Sequence, residues 1–443
     1  MEDLIFAPLV LAIGFGIHQV VLRQHPRSFE QRLLNRSFAA HMAAGIGLVL
    51  IYTYYYSGSG DMISYHLYGV PITEALRYDF SQVFPEVWAL FTHDTYRLPL
   101  ESTGEGSTGT MQAVAVWLFF LLGDSLYAAA LLMSVGSYLA KVMIYRALRS
   151  EFPEVNYEKV LFAIMLSPTG IVWTCALLKE PVLMVFLGPA FLGLKLILDG
   201  RRVFWGATLL VLGSSVILLI KPYVLIALAL AGGVWIFWAR TLRSGGSIII
   251  KPVYFAVAVG VVGLGFTVVS TFIPSLSPDR VAESMQHQRR VSAQERGGSN
   301  FYLEGRDAPV GEAPREGLLS QIAIMPVALV TALFRPFIFE SFSAMQFLNA
   351  IEMTWLTVLF IQMLKRNRWT DLLRRLTANP ALMFCLVFVL VIALGTGLST
   401  ANLGTLSRYR APMMPFFLLL LVILREPEQA KEVARAALKT APA

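Results

Sequence analysis

The chain has 443 residues, of which 56% are hydrophobic and 15% charged, and its mean hydropathy is +0.62. A soluble domain is nearer about 45–50% apolar and about 25% charged, so this composition excludes a string of soluble domains and points to a polytopic membrane protein. The net charge of +7 reads as loop bias toward the cytoplasm, not as a nucleic-acid surface. Cys175 and Cys385 both lie inside apolar runs, so no disulfide framework or paired-cysteine metal site is expected.

A membrane helix needs about 20 mostly apolar residues. Taken in chain order, the apolar runs predict about eleven spans, near 4–22, 37–56, 124–146, 158–176, 181–198, 204–220, 223–239, 252–272, 343–364, 381–398 and 411–425. Two further pieces, 110–123 and 318–334, are short or interrupted and read as re-entrant or interfacial helices. The expected fold is therefore an all-α membrane domain over 1–425, with a cytoplasmic tail over 426–443. The start is acidic where a signal peptide would be basic. Arg23, Arg27, Arg32 and Arg36 follow the first span and place that loop inside and the N-terminus outside. Alternation then puts the C-terminus in the cytoplasm and leaves two external segments. These are 57–110 and 273–317, the second continuing through the re-entrant piece to 342. The assignment requires that 110–123 and 318–334 do not cross.

No nucleotide-binding loop, dinucleotide fingerprint or HExxH helix is present, so chemistry is expected outside. The first external segment opens on a glycine-serine turn into Asp61, after the Tyr-rich end at Tyr52 and Tyr54 to Tyr56. An acid just outside a membrane helix suits a general base; Gly-Asp before an apolar run is equally an N-cap pattern. Lys179 and Glu180 stand between two apolar spans, Lys221 lies between the next external ends, and Arg335, Arg408, Tyr409 and Arg410 precede or follow later ones. This topology brings Lys179, Lys221, Arg335, Arg408 and Arg410 to the external headgroup level, against the positive-inside bias. A shared phosphate or pyrophosphate ligand explains that placement. Snorkelling, or pairing with Glu180, Glu340 and Glu352, explains it too. Asp61 and Glu180 are the candidate catalytic acids. His66, Asp124, Glu340, Glu352, Arg289 and Arg290 are secondary candidates, the last two in a charged run of the long loop that suits a lid. No metal site is predicted, because no third ligand is spaced for one. Gly188, Gly193, Gly232 and Gly233 read as helix-packing positions.

Several segments resemble one group of proteins. Pro168 to Trp173 followed by Leu-Leu-Lys179-Glu180-Pro, Arg335-Pro-Phe-Ile-Phe-Glu340 with Asn349 and Glu352, and Gly404 to Arg410 are similar to motifs of multispanning proteins of bacterial surface-polysaccharide clusters. These resemble the GT-C class of membrane glycosyltransferases, together with O-antigen polymerases and ligases. The resemblance implies a polyprenyl-phosphate- or pyrophosphate-linked saccharide donor, a glycan acceptor, a bacterial inner-membrane location and transfer on the external face. By position it makes Asp61 the acid of the first external loop and the arginines pyrophosphate ligands. This chain departs from the class in having no Asp-Asp or Asp-Glu pair there, and no cofactor is expected. Two other readings stand beside it: a lipid-linked glycan flippase, and a non-catalytic subunit of an export complex. No internal repeat is evident, and the non-cytoplasmic charges gather at one external level, which favours surface chemistry over alternating access.

Overall fold

In a computed structural model, the described residues are 2–94, 106–153, 156–243, 289, 300–301, 318–341 and 343–427, with side chains of 243 and 318–322 excepted. Among them the chain is helical, with one isolated bridge between Asn300 and Asn402. Among the described residues eight helices are long and apolar enough to cross a membrane, or nine if one bent pair counts as a span. The expected span 252–272, most of the second external segment, Arg290 and most of the tail lie outside the described residues.

The chain divides into two compact units, residues 1–150 with 164–225, and residues 151–163 with 226–443. Unit 1 starts with α1 (Glu2–Arg23) and α2 (Ser28–Leu50), the latter continuing as a π-helical turn to Tyr55. Then come α3 (Asp61–Tyr78), α4 (Phe80–Thr92) and α5 (Ser107–Leu122), where the sequence suggests an external loop. Asp79 caps α4 by accepting from the Gln82 N–H, and the Ser125 hydroxyl caps α6 (Leu126–Arg149). α1 and α6 lie side by side and parallel. Glu2 and Asp3 accept from Asp124 N–H and the Ser125 hydroxyl at one end, and Arg146 donates to Gln24 at the other. α2 runs antiparallel to α6, so residues 57–122 leave and return at the same end of unit 1.

The expected span 158–176 is not one helix. It is α7 (Tyr157–Met165), a break, α8 (Pro168–Val172), and an irregular stretch from Trp173 to Leu178. Pro168 cannot donate a helical N–H, and Ser167 caps the new helix by accepting from Gly170 N–H. Residues 165–178 still run antiparallel to α6: Gly170 meets Lys141, Thr174 meets Ser137, and Ala176 N–H reaches Ser134. α9 (Lys179–Leu198) then runs parallel to α6, and α10 (Val203–Ile220) returns against α9. Small residues set these contacts. A Cβ on Gly188 would sit 2.5 Å from Ala140 Cα, and one on Gly193 would sit 2.5 Å from Gly206 O.

Unit 2 takes most of α11 (Pro222–Arg243), then α12 (Leu318–Phe334), α13 (Ala344–Arg366), α14 (Trp369–Ala378) and α15 (Pro380–Ser399). α16 (Leu403–Tyr409) and α17 (Met414–Leu424) follow, bent by 44° at the break between them. The expected last span 411–425 is thus part of a bent pair. Asn379 and Asn402 cap α15 and α16 through their side-chain oxygens. At one end of the unit, Arg375 donates to the carbonyls of Ile423, Leu424 and Glu426, and Asn367 reaches Leu424 and Arg425.

Candidate functional site

In unit 1 the candidate residues gather at the end where α1, α6 and α9 begin and α2 and α10 finish. Asp61 opens α3, half-buried, behind Gly60 at φ 106. A side chain on Gly60 would strike the Tyr52 ring at 2.7 Å, so the turn that presents Asp61 requires glycine. Lys179 opens α9, and its ammonium donates to Ser107 Oγ at 3.0 Å and Thr108 Oγ1 at 3.1 Å, in the first turn of α5. Cationic Lys179 is thus set among hydroxyls beside the N–H groups that begin α5.

Glu180 and Lys221 behave differently. Both are buried, and Lys221 Nζ donates to Glu180 Oε1 at 2.6 Å. This pair joins the start of α9 to the end of α10. His66 donates Nε2–H to the Asp124 carbonyl at 3.0 Å, and Arg77 reaches Asp124 Oδ1 at 3.2 Å. His66 and Asp124 therefore tie α3 to the start of α6. His93, the left-handed C-cap of α4, bonds Thr110 Oγ1 at 2.7 Å. Burial holds the His93 imidazole below its usual pKa, against an opposing hydrogen bond to the Leu219 backbone.

In unit 2 the candidates also converge on one end, where α12 and α15 finish and α13 and α17 begin. Arg335 forms a forked pair with Glu340: Nε lies 2.9 and 3.1 Å from the two carboxylate oxygens, and Nη2 lies 2.6 Å from Oε1. Glu340 also accepts from Phe337 N–H at 2.8 Å. The guanidinium lies over Phe301, 5.1 Å from the ring centre, and Arg335 keeps 24% of its side chain exposed. Arg410, by contrast, is wholly buried. It donates to the carbonyls of Ala332 and Arg335 and to Asn349 Oδ1, with buried Glu352 in electrostatic reach. Asn349 in turn donates to Ser407. Arg410 therefore fixes the chain that carries Arg335. Arg408 and Tyr409 are half-buried beside it. Arg289 is described without its chain neighbours.

Hydropathy and charge patterning bring out the ends of the spans and leave the polar residues between those ends unmarked. Within unit 1, His18, Ser37, His41, Ser137, Tyr138, Lys141 and Thr174 form a buried polar array, and His18 reaches out of it to the exposed Asn35. The non-cytoplasmic charges are therefore not confined to one external level. Lys141 is a single cation in an otherwise apolar run, and its partner His41 is far away in sequence; the recoverable signal is that each ionisable side chain falls inside an apolar run, His41 in 37–56 and Lys141 in 124–146. Among the described residues no group of three or more His, Cys, Asp or Glu could hold a metal ion. No protein-family model, no curated protein and no solved structure matches the chain.

Proposed function

We propose that this chain is a membrane glycosyltransferase that uses polyprenyl-phosphate- or pyrophosphate-linked sugars on the external face of a bacterial inner membrane, with inversion, in surface-polysaccharide assembly. Single-sugar transfer, polymerisation and ligation all fit this chemistry. In this reading Asp61 takes the proton of an acceptor hydroxyl. In unit 2, Arg335 and Arg408 stabilise charge developing on the departing phosphate, typically the largest catalytic contribution, and in unit 1 Lys179 is a further candidate for an anionic ligand. Arg410 acts as a positioning residue, and Glu180 belongs with Lys221 as a structural pair. The supporting observation is the forked Arg335–Glu340 contact on a loop whose backbone Arg410 holds. A guanidinium prepared for one carboxylate presents the same two N–H groups to a phosphate. Glu340 then serves as the place-holder that the phosphate displaces.

The test uses purified protein, a lipid-linked sugar donor and an acceptor glycan. Asp61→Asn should lower transfer by roughly 10²–10⁴-fold, the usual worth of a positioned general base. Full glycan output from Asp61→Asn at normal protein level would end the base assignment. Arg335→Lys should also lose activity, because an ammonium cannot make the fork.

A second reading is a flippase for the same lipid-linked glycan, and the buried Lys141–His41 contact favours it, since mid-span ionisable groups commonly mark transport paths. Donor movement across a liposome without transfer supports the flippase. Neither transfer nor movement supports a non-catalytic subunit.

A further inference from the structure

The mid-span polar array in unit 1 contains one contact that the sugar-transfer chemistry does not use. Lys141 lies near the middle of α6 and His41 near the middle of α2, and both are fully buried. Lys141 Nζ is 2.9 Å from His41 Nε2 and 2.5 Å from the Gly170 carbonyl. His41 Nδ1 is 2.7 Å from the Ser37 carbonyl, which can only accept. Nδ1 therefore carries a hydrogen, and Nε2 presents its lone pair to Lys141. Among the described residues no carboxylate lies within ion-pair distance of Lys141. Its two acceptors match the two N–H groups of an amine and leave the third N–H of an ammonium unmatched.

The other ionisable groups around this contact do not supply a counter-charge. From α1, His18 has Nε2 2.8 Å from Asn35 Oδ1 and Nδ1 2.8 Å from the Tyr138 hydroxyl, so it faces two uncharged groups. Tyr138 on α6 stands edge-on to the His41 ring at 5.8 Å. Cys175, on the irregular stretch, is a free, buried thiol. α8 brings no ionisable side chain. α9 packs Gly188 against Ala140 and carries Lys179, Glu180 and Lys195 only in its first and last turns.

We propose that Lys141 and His41 form a proton-binding site at mid-depth in unit 1. The ligand is a single proton drawn from and returned to water. It binds Nζ or, by transfer along the 2.9 Å contact, Nε2. The Gly170 carbonyl, which also accepts from Thr174, is the backbone group that senses it. That carbonyl belongs to the broken crossing between α7 and α9, so proton binding adds charge where the helix is already interrupted. Discontinuous helices with exposed carbonyls near mid-depth are a recurring way of placing ions inside membrane proteins. The site is independent of the sugar-transfer reading.

The experiment is a melting midpoint measured against pH for the full chain in detergent. Wild type should show a proton-linked step between about pH 5 and 10, the range over which imidazole and amine groups titrate. Lys141→Met and His41→Gln should each lose that step, and the double variant should add nothing further, because the two groups share one proton. Every other ionisable residue remains in all four proteins, so differences between curves isolate the site. Superimposable curves would overturn the proposal. If the variants do not fold, nitrogen-15 NMR of wild-type lysine Nζ decides: a buried lysine signal that moves with pH supports the site, and none that moves sinks it.

Discussion

At the residue scale, the same side-chain chemistry divides into groups that hold the fold and groups left for a ligand. Lys221 and Glu180 are the clearest of the first kind. Removing one partner of a buried ion pair leaves an uncompensated charge, so Glu180→Gln or Lys221→Met alone should destabilise by about 3–5 kcal/mol in a denaturation midpoint. The double replacement Glu180→Leu with Lys221→Met should recover most of that loss. If Glu180→Gln instead keeps the wild-type midpoint and abolishes transfer, Glu180 is catalytic after all. His25 makes a different prediction at the opposite end of unit 1. It is buried, with Nδ1 3.6 Å from Glu30 Oε2, while Tyr145 and Arg149 approach the other Glu30 oxygen at 2.6 and 3.5 Å. Burial holds the His25 pKa below 6.5, with Arg146 and Arg149 adding to the effect and Glu30 opposing it. The unfolded chain therefore binds the proton more readily. The stabilisation is complete above about pH 6.5 and is lost as pH falls toward the folded-state pKa. The melting midpoint should drop on acidification below about pH 6.5, and His25→Gln should flatten that drop.

At the element scale, most long helices were legible and two features were not. Apolar length alone locates 4–22, 181–198, 204–220, 223–239, 343–364 and 381–398, because the bilayer sets the length of a helix that crosses it. The run 158–176 is equally apolar, yet it breaks at Ser167 and Pro168 and unwinds after Val172. Its irregular backbone is tolerated because it is buried in protein, where Ser134 accepts the Ala176 N–H and Lys141 donates to the Gly170 carbonyl. Hydropathy registers side chains and is blind to that backbone satisfaction. The helices within 57–110 were missed for the converse reason: they do not have to cross, so no apolar-length rule announces them. Packing between elements is more predictable. Gly188→Leu should force α6 and α9 apart and cost at least about 1–3 kcal/mol. Gly16→Ala, with nothing within 4 Å of its new Cβ, should leave the midpoint unchanged. A neutral Gly188→Leu would refute the α6–α9 contact.

At the scale of the molecule, the sequence reads the candidate charges as one external group with a shared ligand, and the wiring of the charges within each unit was not legible. Sequence placed Arg410 with Arg335 but gave no sign that one would hold the backbone of the other. The topology of unit 1 is directly testable. Cys175 and Cys385 are buried, so an impermeant thiol reagent has little background. In sealed vesicles of one orientation, Ser59→Cys and Arg201→Cys, both at exposed positions, should react from opposite sides. Labelling of both from the same side would overturn the parallel run of α1, α6 and α9.

The far end of unit 2 carries a consequence for handling the protein. A helix leaves its last four carbonyls without partners, and at the end of α17 Arg375 and Asn367 already occupy the carbonyls from Ile423 to Glu426. The last described helix is therefore closed at its end by Arg375 of α14 and by Asn367 just before it. A reporter or affinity tag joined after Pro427 would hang from a finished helix, so purification and orientation assays can be built on that junction without unravelling the turn above it.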